Sequence, residues 1–273
     1  MSHTPPVIGA ALTVETLSRL RNWIFDSARN IEIQDFYAPE VLDGDWRPLT
    51  DRYAQMLRGH RGRIGIHGPF WDLPIDAMDP LVVGALRRRF DQGLDVCAAV
   101  GADMMVIHSP YTTWDAHNLD GYPGGREAKI ARVLENLRPV VARAQDQGVT
   151  LAIENIQDID PRDRLTLAAA FDSPAVRLSV DTGHAHYAHG RTGAPPVDYF
   201  IRAAGPALAH VHLQDADGHA DRHWRLGEGS IHWPSVFRAL GELPALPRLL
   251  VEMADETQIV ASVDHLAALG LGR

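Results

Sequence analysis

The residues best suited to chemistry crowd into one stretch, Leu208 to Gly229, which reads LAHVHLQDADGHADRHWRLGEG. It begins as an alternating strand with His210, His212 and Gln214 on one face and Ala209, Val211 and Leu213 on the other. It runs on into a loop carrying Asp215, Asp221 and His223. Neutral imidazoles beside carboxylates are the ligand set of a borderline divalent ion such as zinc or manganese, and no thiolate competes with them here. A metal centre is therefore the working hypothesis, with its remaining ligands to come from elsewhere in the chain.

Six predicted strands supply them. Each carries at or near its end a β-branched aliphatic followed at once by a residue able to bind a metal: Ile66-His67, Ile107-His108, Ile153-Glu154, Val180-Asp181, Val211-His212 and Val251-Glu252. Side chains alternate along a strand, so each aliphatic faces outward and its polar successor points toward a common axis. His184 follows in the run DTGHAH, and Asp221 with His223 reach over from the loop after the seventh strand. Burying so many polar groups unpaired is costly, and a shared cation offsets that cost. His210, one layer below His212, is expected to fill the interior with a hydrogen bond. His3, His60, His117 and His265 read as surface residues, and Cys97 as a small core residue in an apolar helical pattern.

Positioning these groups requires eight strands. The β-branched runs are Val7 to Leu12, Ile31 to Phe36, Arg63 to His67, Met104 to His108, Thr150 to Ile156, Val176 to Asp181, Leu208 to Gln214 and Arg248 to Met253. Helical patterns lie between them. Thr13 caps one, Pro80 opens another, Glu127 to Gln147 stops at Gly148, and others follow Pro161, Pro234 and Glu256. Strand-then-helix repetition on this scale is the arithmetic of an α/β fold, a single (β/α)8 TIM barrel, with its site at the C-terminal ends of the strands. No GxGxxG follows the first strand to favour a doubly wound sheet. No linker divides the chain, so residues 1–273 read as one domain.

Composition narrows the function classes. With 273 residues, 45% hydrophobic and 22% charged, this is an ordinary globular chain. A formal charge of -9 argues against holding a polyanion by bulk electrostatics. The single cysteine allows no internal disulfide, and the absence of a signal-like or spanning apolar run reads as a cytoplasmic protein with no membrane partner.

Taken together, HGP at 67–69, IHSP at 107–110, AIEN at 152–155, VDTGH at 180–184, HLQD at 212–215, DRHWRLGEG at 221–229 and VEM at 251–253 resemble the xylose isomerase-like TIM-barrel superfamily. It includes sugar phosphate isomerases and epimerases, inosose dehydratases and endonuclease IV-type apurinic endonucleases. In the isomerase branch the resemblance implies one divalent ion at Glu154, Asp181, His212 and Glu252. The two glutamates would be catalytic, exchanging protons with substrate, and His184 would contact it. In the endonuclease branch it implies three zinc ions. One would sit at His67, His108 and Glu154, a second at Glu154, Asp181, His212 and Glu252, and a third at His184, Asp221 and His223.

The loops choose between the branches. After the second strand come Asp35, Glu40, Asp43 and Asp45, an acidic rim that would repel a DNA backbone. The reading is a divalent-metal-dependent isomerase or epimerase of a small sugar or keto-polyol, working by proton transfer through an ene-diolate. Dehydration of an inosose would share the first step. Arg222 and His184 would orient hydroxyl groups, and Phe70, Trp71, Tyr111, Trp114 and Trp224 are candidates for a wall over a sugar ring. The alternative is a zinc-dependent phosphodiesterase resembling the apurinic endonucleases. Homo-oligomerisation is left open.

Overall fold

Short runs of β-branched residues bounded by Gly, Pro and Asp become eight parallel strands in the computed structural model, which describes residues 4–273. They are β1 (Gly9–Leu12), β2 (Ile31–Ile33), β3 (Ile64–His67), β4 (Met104–His108), β5 (Thr150–Glu154), β6 (Val176–Asp181), β7 (Leu208–Leu213) and β8 (Arg248–Val251). They pair in sequence order, and β1 also pairs with β8, so the sheet closes into a barrel without an edge.

The helices are α1 (Val14–Asp26), α2 (Pro39–Asp43), α3 (Arg47–Met56), α4 (Pro80–Val100), α5 (Thr113–Asn118), α6 (Gly125–Gln147), α7 (Pro161–Ala170), α8 (Thr182–Thr192), α9 (Val197–Ala204), α10 (Trp233–Gly241) and α11 (Ile259–Ala268). Asp79 caps α4 by accepting from Leu81 N, and Asp160 caps α7 by accepting from Arg162 N. Helix α6 ends on left-handed Gly148, a conformation that favours glycine.

Packing is two-sided, as strand alternation demands. Ile66, Ile107, Ile153, Val180, Val211 and Val251 all belong to the main core between strands and helices. Inside the barrel a small separate cluster of Met104, Val106 and Ala152 fills the axis. Above it the interior turns polar: Glu32, Glu154, Ser179, Asp181, His210 and His212 are all buried. A register shift between Leu178 and Ser179 sets Ser179 beside His210 and Asp181 beside His212.

Several sequence expectations shift here. Helices α2, α3, α5, α8 and α9 are additional to the helical patterns expected from sequence, although α9 buries Val197, Phe200, Ile201 and Ala204 at i, i+3, i+4 and i+7. Helix α8 contains Gly183, Gly190 and three histidines, His184, His186 and His189, and its start is fixed at the end of β6, where Asp181 caps it by accepting from His184 N. His60 is not a plain surface residue: its ring tilts against Phe25 with centroids 5.0 Å apart, and burial lowers its pKa. His265 is half-buried, and a Cβ on Gly227 would come within 2.5 Å of its ring. His117 is exposed, Cys97 is buried, and His3 lies outside the described residues.

Candidate metal centre and active site

The strand ends converge at one mouth. Glu154 ends β5 and Asp181 ends β6, while His212 is the penultimate residue of β7. Ligand atoms of Glu154, Asp181 and His212 lie within 4.8 Å of one another. Glu154 Oε1 is 2.5 Å from His212 Nδ1, and Glu252, just beyond β8, brings Oε2 to 3.4 Å of the same nitrogen. The two glutamates thus approach one imidazole nitrogen from β5 and β8.

Two further groups flank this one. Ligand atoms of His67, His108 and Glu154 also fall within 4.8 Å of one another, as do those of His184, Asp221 and His223. His67 Nε2 and His108 Nε2 face Glu154 Oε2 at 3.8 and 3.7 Å. Asp221 lies 3.2 Å from both His184 Nε2 and His223 Nε2. Every residue named as a metal ligand from sequence therefore lies at the mouth.

The donor set fits a divalent cation. Asp181 is fully buried, and its Oδ1 accepts from His184 N at 2.6 Å and from Gln214 Nε2 at 3.1 Å. Its Oδ2 is buried with no hydrogen-bond partner among the described residues. An unpartnered carboxylate oxygen beside Glu154 and His212 is a ligand atom that a cation could satisfy. Burial raises the Asp181 carboxyl to about 6, against the pull of His184. Burial also lowers His108 to about 3, which leaves it neutral and able to ligate. Burial opposes the charged form of His212, but Glu252, Glu32 and Glu154 outweigh it and hold its pKa well above the ordinary value.

Backbone and packing aim these groups. Asn155 Oδ1 accepts from Asp181 N at 2.9 Å, its Nδ2 donates to Asp181 O at 3.0 Å, and its carbonyl faces His184 Nδ1 at 2.8 Å. Buried Arg164 donates to the carbonyls of Ile153 and Ser179 and pairs with buried Asp158 at 2.9 Å. Gln214 ties three groups together. Its Nε2 donates to Asp181 and, at 2.9 Å, to Asp221, while its Oε1 accepts from His223 N at 2.8 Å. A Cβ on Gly183 would lie 2.1 Å from that carboxamide, which explains the glycine in DTGH. His223 sits at φ +48, a strained conformation of the kind that gathers at functional sites.

The proposed substrate contacts divide. Phe70 stacks on His108 with centroids 4.3 Å apart and meets His67 at 4.9 Å, so it lies at the mouth. Trp71 reaches it through Tyr37, at 5.5 Å, and through Phe70, at 6.3 Å. Trp114 stacks on Tyr122 at 6.1 Å and is more than half exposed. Tyr111 is buried beside Lys129. Arg222 is engaged elsewhere: it donates to Asp217 at 2.9 Å and lies over the Trp224 ring at 5.1 Å. The acidic rim is also smaller than the sequence suggested. Asp35 accepts from Val14 N and Tyr53, and Asp43 is held by Arg88 and Arg89 from α4. Glu40, Asp43 and Asp45 all face solvent, with Arg47 3.7 Å from Asp45.

Two groups were missed. Glu32 and Gln34 lie on β2 and just past it, and Gln34 Nε2 donates to Glu32 at 3.0 Å and to Glu252 at 2.9 Å. The available signal was a lone acid between Ile31 and Ile33, which alternation places inward. Gln34, Glu252 and His223 form one side of a cavity of about 620 Å3 that opens toward Arg19 and Tyr37.

Fold and site together define a parallel barrel with a polar, ligand-rich mouth. The family model described as "Xylose isomerase-like TIM barrel" matches residues 28–269, and the chain belongs to that family. An uncharacterized protein of Methanocaldococcus jannaschii, MJ1311, is 24% identical over 255 residues, which is 87% of this chain and 81% of its own. Among solved structures, the TTHB071 protein of Thermus thermophilus, obtained by soaking with ZnCl2, is similar at 28% identity and TM-score 0.72, covering 97% of this chain and 99% of that one. A D-tagatose 3-epimerase-like protein is similar at 19% identity and TM-score 0.74, covering 96% of each chain. The 3-keto-D-glucoside 4-epimerase YcjR from E. coli is similar at 17% identity and TM-score 0.70, covering 97% of this chain and 98% of that one.

Proposed function

We propose that this protein is a divalent-metal-dependent isomerase or epimerase of a small sugar or keto-polyol. The observation that carries the reading is the meeting of Glu154 and Glu252 at His212 Nδ1, 2.5 and 3.4 Å away, beside the unpartnered Oδ2 of Asp181. Glu154, Asp181, His212 and Glu252 would hold the ion, with zinc or manganese best matched to nitrogen and carboxylate donors. When bound, it supplies positive charge that lowers the cost of negative charge on adjacent carbonyl and hydroxyl oxygens.

The remaining work falls to the chain. One glutamate removes the proton from the carbon next to the carbonyl, and the other returns a proton from the opposite face, inverting the centre or moving the carbonyl. Glu252 borders the cavity of about 620 Å3, a volume in the range of small-molecule sites. Phe70, packed on His108, would offer an apolar face to a sugar ring. The sugar epimerases of the same fold support this substrate class.

The second reading is a zinc phosphodiesterase, favoured by the groups His67, His108, Glu154 and His184, Asp221, His223. Opposing it, Arg88, Arg89 and Arg222 are paired with aspartates rather than free for phosphates. The test is metal content of purified protein together with two assays, ketose epimerisation and cleavage of an abasic oligonucleotide. Ketose turnover without cleavage supports the proposal. Cleavage by protein holding three zinc ions, without action on ketoses, overturns it.

A further inference from the structure

Glu32 does not itself line the cavity. It is 1% exposed, at the floor of the site, where its carboxylate meets three polar side chains. Its Oε1 lies 2.9 Å from His212 Nε2 and 3.0 Å from Gln34 Nε2. Its Oε2 lies 3.3 Å from His210 Nε2, and His210 Nδ1 in turn faces Ser179 Oγ at 2.9 Å.

An imidazole has two nitrogens, and only one can ligate while the other carries a proton. His212 turns Nδ1 toward Glu154 and Glu252, and Nε2 toward Glu32. A carboxylate only accepts, so Glu32 requires a proton on Nε2 and thereby leaves the Nδ1 lone pair for the ion. The same carboxylate orients the Gln34 amide, whose Nε2 also donates to Glu252. One buried group therefore sets the direction of a ligand and of an acid–base residue.

We propose that Glu32 is a positioning residue for the metal centre: it fixes the Nε2–H tautomer of His212 and, through Gln34, the orientation of Glu252. The proposal rests on the reading that His212 binds a metal. Ser179 and His210 complete the arrangement. Ser179 Oγ lies 2.9 Å from His210 Nδ1, and His210 Nε2 lies 3.3 Å from the second Glu32 oxygen without hydrogen-bond geometry. Carboxylate partners of ligating imidazoles tune affinity by about 10- to 100-fold.

The experiment uses full-length protein, stripped with chelator and reloaded with zinc. Zinc affinity is measured by chelator competition on the wild type and on Glu32→Gln, with circular dichroism to confirm folding. 15N NMR of histidine-labelled wild type reports which His212 nitrogen is protonated. The expected results are an affinity loss of about 10- to 100-fold in E32Q at unchanged stoichiometry, and Nε2–H with Nδ1 ligated in the wild type. The NMR measurement stands even if E32Q fails to fold. Wild type ligating through Nε2, or folded E32Q with wild-type affinity, overturns the role of Glu32 alone. So does loss of one whole equivalent in E32Q, which would mean that Glu32, His210 and His212 held an ion of their own. Wild type that binds no zinc or manganese overturns the metal reading as well.

Discussion

Replacing Asp181 by Asn should strengthen the metal-free protein while abolishing the metal binding proposed above. Asp181 is fully buried, and burial raises its carboxyl from 3.8 to about 6. That rise of about two units corresponds to roughly 3 kcal/mol against the ionised form at neutral pH, at about 1.4 kcal/mol per unit. The folded state binds the extra proton between the two values, so stability falls as pH rises from 3.8 through about 6 and stays lost above it. Asn has the same shape, keeps an oxygen for His184 N and Gln214, and presents an amide where Oδ2 has no partner. Urea unfolding in excess chelator should therefore show D181N more stable than wild type by about 2–3 kcal/mol near pH 7.5, with the difference vanishing near pH 4. Metal reverses the order. At a hundred times its Kd an ion adds roughly 2.7 kcal/mol to the wild type and should add nothing to D181N. A D181N protein less stable than wild type in chelator at pH 7.5 would refute this account of the buried carboxylate.

Three other outcomes follow from the same contacts. Gly183→Ala puts a methyl group into the Gln214 carboxamide, so it should weaken zinc binding at least tenfold by displacing the support of Asp181, Asp221 and His223, as read by chelator competition. Arg164→Met leaves Asp158 buried without its cation and should cost about 3–5 kcal/mol in urea unfolding, with Asp158→Asn in the same chain recovering part of the loss. Burial opposes the charged form of His223, but pairing with Asp221 and the nearby Glu252 raise it from 6.5 to about 9. A raised histidine stabilises fully below 6.5 and loses that contribution as pH rises through about 9. The melting temperature of wild type in chelator should accordingly fall relative to His223→Gln between those values, and zinc-loaded protein should not show that fall.

Much of this was legible because strand alternation is a strong local rule. An aliphatic followed by a ligand type, repeated at six strand ends, fixes which side chains face the axis before any contact is known. Ile66 through Val251 duly pack outward, and their polar successors meet at the mouth. Glu32 escaped notice because it stands near the start of the expected strand Ile31 to Phe36, whereas the pattern was sought at strand ends. Asn155, Arg164 and Asp158 act through backbone carbonyls and each other, and their partners come from separate elements that spacing does not connect. The neighbours of Arg222 and Trp114 were hidden for a related reason. Loop side chains take whatever partner is adjacent, here Asp217 and Tyr122, and composition does not reveal that choice. The acidic rim shrank because α4 delivers Arg88 and Arg89 to Asp43 from a distance in sequence.

The most direct test of proton transfer between Glu154, Glu252 and a ketose is exchange with solvent deuterium. Metal-loaded protein incubated with a ketohexose in D2O should place deuterium on the carbon beside the carbonyl, detected by NMR of the recovered sugar. Glu154→Gln and Glu252→Gln should each reduce that incorporation by at least a hundredfold. Undiminished incorporation in both variants would contradict the assignment of these two glutamates.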